Sequence, residues 1–188
     1  MAILLCFRYT IAMTKYNDIY EEAVDNFGLI TSARAAELGV TNGELVQYAR
    51  RGRLEKVGHG LYRLAKRVPE ENDPYALAVA LVGSGAYLFG ESVIAMLKLA
   101  PTNPARIYVA SPQRVRRNLP DGLIVVRTDG AETTVYDGIA SQTAAAAIRS
   151  CKGRMMPERL ARATQAARRE GYITEAECSK MMKELEAL

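Results

Sequence analysis

The stretch VTNGELVQYARRGRLEKVGHGLYRL, residues 40–64, holds the signals that decide the fold. Thr41 followed three residues later by Glu44 is a capping box, in which each side chain serves the other residue's backbone N–H. Val40 before the cap and Leu45 at the fourth helical position form a hydrophobic staple. The two signals agree on a helix over residues 42–51. Leu45, Tyr48 and Ala49 face inward in it, while Asn42, Gly43, Gln47 and Arg50 stay outside. Gly52 ends it. The period then changes: residues 54–57 and 61–64 read as two short strands, and Gly58-His59-Gly60 supplies the permissive backbone of a tight hairpin.

Upstream, Ile19, Ala23, Val24 and Phe27 share one face of a helix over residues 16–27, with Gly28 as its stop. The apolar pair Leu29-Ile30 leads to Thr31 or Ser32, either of which caps a second helix running to about Leu38 and closed by Gly39. Helix, helix, glycine turn, helix, hairpin is a winged helix-turn-helix, expected over residues 14–66. Lys66 to Asp73 is charged, contains Pro69 and reads as the start and body of a connector, placed at 67–73.

Residues 74–188 are expected to form a second, mixed α/β domain, so the chain belongs to the α+β class. Pro74 sits at the first position of a helix whose apolar body is residues 76–82, and Gly83-Ser84-Gly85 breaks it. A helix is expected over 91–99. Strands are expected at 107–109 and 123–126, with a third near Val135 or Ile139. Three helices close the chain at about 141–150, 157–170 and 174–187, the last with its own box, Thr174 to Glu177.

Composition narrows the chemistry. A chain of 188 residues with 49% hydrophobic and 24% charged residues has enough apolar mass for a packed core. With one histidine and three scattered cysteines, it lacks the spacing of a zinc site or a disulfide framework. No metal or cofactor is implied, and a reducing cytoplasm is the expected compartment. The first thirteen residues, MAILLCFRYTIAM, are apolar but too short to span a bilayer and lack a signal peptide's basic start. They read as an apolar arm or as sequence preceding a true start at Met13.

The net charge is +4, and the positive charge is clustered. One block runs from Arg50 through Arg51, Arg53, Lys56, Arg63, Lys66 and Arg67, against Glu55 alone; a second lies between Arg149 and Arg169. Clustered cations on a winged helix point to duplex DNA. The helix at 42–51 is the one that enters the major groove. Asn42 and Gly43 lie at its N-terminus, where backbone N–H groups meet phosphate. Gln47 suits adenine and Arg50 guanine. Arg51 and Arg53 suit phosphates, which give affinity and salt dependence rather than sequence preference. Lys56, His59 and Arg63 mark the wing, with Lys56 and His59 placed for backbone or minor-groove contact. His59 has no orienting acid beside it, so it reads as a wing contact and not a catalytic base.

The run GLITSARAAELGVTNGELVQYARRGRLEKVGHGLYRL, residues 28–64, resembles the N-terminal winged helix of AbiEi-type antitoxins of abortive-infection, type IV toxin–antitoxin systems. The match is strongest over RRGRLEKVGHGLYRL, residues 50–64. Downstream, YLFGESVIAMLKL (residues 87–99) and the Asp-Gly-Ile strand start at 137–139 are similar in layout. The family's Arg-Thr-x-x-Asp is replaced here by Gln142-Thr143-Ala144-Ala145-Ala146, so any role of that Arg or Asp does not carry over. The resemblance implies a repressor that binds inverted repeats in its own promoter and whose C-terminal domain counteracts a co-encoded nucleotidyltransferase-like toxin.

Two other classes compete. A plain winged-helix regulator would use its C-terminal domain to sense a ligand or partner, with Gly83-Ser84-Gly85 bordering a pocket; the adjacent gene discriminates. A nucleotidyltransferase would need paired carboxylates after its Gly-Ser, and Glu91 stands alone. A nuclease would need an acid followed by a carboxylate-x-Lys cluster, which the strands at 107–109 and 123–126 lack. The expectation is a protein that is not an enzyme.

Overall fold

The structure, a computed structural model, describes residues 15–102, 105–128, 130 and 132–186. The expected arm at 1–13 lies outside them. The chain divides into two compact units, residues 1–73 and 74–188. The fold is α+β: a winged helix-turn-helix, then a mixed α/β unit.

In the first unit, α1 is helical over 15–24 and precedes β1 (Leu29–Thr31), α2 (Ser32–Glu37) and α3 (Asn42–Arg50). The wing follows as β2 (Leu54–Gly58) and β3 (Leu61–Leu64). The three strands form an antiparallel sheet in the order β1-β3-β2. Ile19, Ala23, Ile30, Ala35, Val40, Leu45, Tyr48, Leu54, Tyr62 and Leu64 make one buried cluster. The α1 reading needs correction at its end. Phe27 (φ 55°) and Gly28 (φ 72°) turn the chain left-handed, and the Gly28 N–H bonds the Ala23 carbonyl at 2.7 Å. Val24, one position (about 100°) round the helix from the buried Ala23, lies outside the core at 49% exposure. At α2 the cap is Thr31, whose hydroxyl accepts the Arg34 N–H.

The stretch after the wing is tied back to the first unit. Arg67 pairs with Asp73 and with Glu70 (2.8 Å). Its side chain lies over Gly28, where an added Cβ would come within 2.5 Å of Arg67 Cδ. Gly28 is thus needed twice, for its positive φ and for this close approach.

The second unit opens with α4 (Asp73–Val82) and continues through β4 (Tyr87–Leu88), α5 (Glu91–Met96), β5 (Ile107–Ser111) and β6 (Leu123–Arg127). β7 (Thr133–Tyr136) and β8 (Ile139–Gln142) follow, then α6 (Ala144–Ser150), α7 (Pro157–Arg169) and α8 (Glu175–Glu186). Its sheet runs β6-β5-β4-β8-β7, with β5/β6 and β4/β8 parallel and the other pairs antiparallel. Ile94, Ile148, Cys151, Leu160, Ala163, Ala167, Cys178 and Met181 are among the residues that bury α5 to α8 against one another. Cys151 and Cys178 are both free thiols there.

Four sequence expectations change in this unit. The single strand near Val135 or Ile139 is a hairpin, β7–β8, turned by Asp137 (φ 48°) and Gly138 (φ 78°). Two consecutive positive φ values are what a type I′ Asp-Gly turn requires. Ser141 and Gln142 belong to β8, so the next helix starts at Ala144 and is capped by Thr143. α5 stops at Met96 because Lys98 turns left-handed (φ 54°). β4, only two residues long, was not anticipated.

Candidate nucleic-acid interface

The exposed face of α3 is set by the way its N-terminus is fixed. Thr41 Oγ1 accepts the Glu44 N–H at 3.3 Å, and Glu44 Oε2 accepts the Thr41 N–H at 2.8 Å. Lys15 of α1 donates to the other Glu44 oxygen at 2.9 Å. The Thr41 backbone bond, reinforced by Lys15, holds the Glu44 carboxyl below its usual range, so it stays ionised. Val40 and Leu45 are both fully buried as a staple, and Tyr48 is buried one turn on.

With Leu45 and Tyr48 inward, the opposite stripe is presented outward. Asn42, Gly43, Gln47 and Arg50 are all exposed, and Arg51, the C-cap, is exposed beside Arg50. Sequence reading missed Val46, which is 40% exposed between Asn42 and Arg50 at four-residue spacing. An outward β-branched residue among polar ones is the signal that marks it, and its methyls suit the thymine methyl in a major groove.

The wing is anchored at its tip. β2 extends to Gly58, with an irregularity between Lys56 and Gly58, and Gly58 pairs with Leu61. The turn is therefore His59-Gly60, not the three residues expected. The Ser32 N–H donates to the Gly60 carbonyl at 2.7 Å, and a Cβ on Gly60 (φ 64°) would press on Ser32 Oγ at 3.4 Å. The wing tip is thus hydrogen-bonded to the start of α2. His59 and Lys56 are exposed on it.

The remaining cations separate into committed and uncommitted. Arg53 lies over the Tyr16 ring at 4.7 Å, and Tyr16 packs on Tyr48 at 5.2 Å, so its guanidinium is positioned by the core. Arg63 pairs with Glu55 at 2.8 Å, and Arg67 is held by Glu70 and Asp73. Arg50, Arg51, Lys56 and Lys66 have no ion-pair partner among the described residues. The basic run thus reduces to a smaller set of uncommitted charges.

The second basic block is largely neutralised. Arg168 pairs with Glu175, Arg169 with Glu170 at 3.1 Å and Lys152 with Glu184 at 2.8 Å, while Arg154 lies 5.6 Å from the Tyr108 ring centroid. Arg159 and Arg162 remain exposed. Sequence reading passed over a third group, Arg114 and Arg116, which are exposed between β5 and β6. Arg117 beside them donates to the Leu81 carbonyl. Gln142, at the departure from the family pattern, is structural: its Oε1 accepts the Gly90 N–H at 2.8 Å, and its Nε2 donates to Ser150.

Residues 17–65 match the family described as "Transcriptional regulator, AbiEi antitoxin". That stretch, the winged helix, is similar to AbiEi-type antitoxin regulators. The AbiEi match spans α1 through the wing and ends before the second unit. No curated protein matches the chain. Among solved structures, the chain is similar to the RV2827C protein from Mycobacterium tuberculosis at 17% identity, over 88% of this chain and 79% of that one, with a TM-score of 0.42. No group of three or more His, Cys, Asp or Glu among the described residues is arranged to hold a metal ion, and no helix among them is long and apolar enough to cross a membrane.

Proposed function

We propose that this chain is a cytoplasmic antitoxin that represses its own toxin–antitoxin operon by binding inverted repeats in the promoter. One observation carries the DNA half. The capped helix α3 presents Asn42, Val46, Gln47 and Arg50 outward, next to uncommitted cations at Arg51 and Lys56 and a wing tip hydrogen-bonded to α2. Asn42, Gly43, Gln47 and Arg50 face bases or the phosphates flanking them. Arg51, Lys56 and His59 contact backbone, and Arg53 and Arg63 add charge from fixed positions.

The toxin half rests on the AbiEi family's character as an antitoxin: the second unit counteracts a co-encoded nucleotidyltransferase-like toxin. The reading assigns no catalytic step and no cofactor to this chain.

A mobility-shift titration of the upstream region against random duplex tests the first half. Preference for the upstream region, with affinity falling steeply as salt rises, is expected; equal binding to both duplexes sinks it. Co-expression of residues 74–188 with the product of the adjacent gene tests the second half. Growth rescue by this half alone is expected, and rescue only by the full chain defeats the modular reading.

A further inference from the structure

Twelve of the chain's fourteen glycines hold a positive φ, so their backbones account for them. Gly58 and Gly43 are the exceptions. Gly58 closes β2 at the strand's irregularity, a place where glycine is common. Gly43 lies within α3, and the fold does not call for a glycine there. Beyond its chain neighbours and the helix backbone, an added Cβ would meet Thr41 Oγ1 alone, at an ordinary 3.9 Å. The capping box does not need it either, since those bonds run between Thr41 and Glu44. Glycine weakens a helix relative to alanine, so one that the fold can do without points to something that comes close from outside.

Its place on the helix shows where. Successive residues turn by about 100°, so Gly43 and Arg50 share one line along α3. That line lies opposite the buried Leu45 and Tyr48. Val46 and Gln47 stand one on either side of it, on the turn after Gly43. Both are exposed, Val46 at 40%. Gly43 thus leaves a notch in the outer surface, with an apolar wall at Val46 and an amide wall at Gln47. Arg50, Arg51 and Lys56 have no ion-pair partner among the described residues, so this face attracts a polyanion.

One kind of base-pair edge matches both walls. In the major groove an A·T pair shows the thymine methyl on one side and the adenine N6–H and N7 on the other. The methyl fits against Val46. The adenine donor and acceptor meet the Gln47 side-chain oxygen and nitrogen. A side chain at position 43 would hold that edge away from both walls.

We propose that Gly43, Val46 and Gln47 together read a single A·T base pair, with the thymine methyl against Val46 and the adenine on Gln47. The proposal rests on the reading of α3 as a DNA-binding helix and adds to it the base pair and the reason for the glycine. Arg50, a turn further along the same line, is left for a neighbouring pair.

Fluorescence anisotropy of the full chain on the upstream duplex tests it. Uracil, which lacks only the methyl, replaces each thymine in turn. In a second set 7-deazaadenine, which lacks N7, replaces each adenine in turn. One base pair in each half-site should respond to both, by about fourfold for uracil and about threefold for 7-deazaadenine. Val46→Ala should erase the uracil response at that pair, and Gln47→Ala the 7-deazaadenine response. Gly43→Leu should lower affinity for the upstream duplex at least about tenfold, with an unchanged circular dichroism spectrum and a urea midpoint no lower than that of the wild type. The proposal is overturned if no thymine responds, if the two responses fall in different pairs, or if Gly43→Leu binds like the wild type. Preference of the wild type for the upstream duplex would then still support the DNA reading, whereas equal binding to upstream and random duplex overturns both. Should Gly43→Leu unfold at lower urea, the two base scans on the wild-type chain decide alone.

Discussion

Helices α3 and α7 both end in consecutive arginines, Arg50-Arg51 and Arg168-Arg169, but their surroundings differ. In α3 the only acid, Glu44, is held at the opposite end by the Thr41 backbone and Lys15. Among the described residues Arg50 and Arg51 have no ion-pair partner. In α7, Glu175 of the next helix and Glu170 beside the helix end pair with both arginines. Exposed pairs of this kind add little stability, but they cancel the local field that would draw a polyanion. A basic run in a sequence is thus a site only where the folded chain leaves it uncompensated, and that depends on acids elsewhere.

The sharpest way to break this contrast is to remove each pair. Arg50→Ala with Arg51→Ala should cost about 1–3 kcal/mol per contact, hence a loss of at least about tenfold in promoter affinity. Arg168→Ala with Arg169→Ala should change it by less than about twofold. Fluorescence anisotropy on the same duplex checks both, and equal losses would erase the distinction between the two helices.

A second comparison uses the two capping boxes. Thr41→Ala and Thr174→Ala should each cost about 1 kcal/mol in urea unfolding, since each removes one cap. Only Thr41→Ala should also weaken DNA binding, because only its helix presents the recognition stripe. If Thr174→Ala lowers affinity as much, the interface extends into the second unit.

Acid should separate the boxes further. Glu44 and Glu177 both sit below their ordinary value near 4.5, each chiefly because its carboxylate accepts the capping threonine's N–H. A depressed carboxyl contributes stability above its unfolded value and loses it as pH falls through the lower folded one. Melting followed from about pH 6 to about pH 3 should show the first unit losing more, since Glu44 also gives up Lys15. In Glu44→Gln that difference should vanish; a persistent difference would place its origin outside the box. The smallest effect is expected for Arg63→Ala, within about 0.5 kcal/mol in urea unfolding, because its pair with Glu55 is well exposed.

Legibility followed the range of the interactions. The first unit was readable because its decisive signals, the Thr41–Glu44 box, the Val40–Leu45 staple and the glycines of the wing, act within a few residues. What escaped there depended on packing, namely the outward turn of Val24 and Val46. In the second unit β4 joins the sheet through partners distant in the chain: Leu88 lies beside Ser141 on one side and Val109 on the other. A two-residue strand has no period to read. The Asp137-Gly138 turn did carry a local signal, and its type I′ preference would have revealed both strands of the β7–β8 hairpin. The pairing of Arg168 with Glu175 and the stacking of Arg53 on Tyr16 are products of the fold. Of the candidate site, the α3 stripe was readable from the sequence, whereas the division of cations into committed and uncommitted was not.

The two cysteines in the helical core give the molecule a built-in clock. Burial pushes the Cys151 thiol up to about 12, and Cys178 is buried in the same cluster. Near neutral pH Cys151 is almost wholly protonated and shielded, so a thiol reagent reaches it only after the surrounding helices part. Cys6 is the remaining cysteine of the chain, and exchanging it for serine leaves thiols only in the second unit. Labelling kinetics of that variant would then time the opening of the helical core, undisturbed by whatever the winged helix is doing.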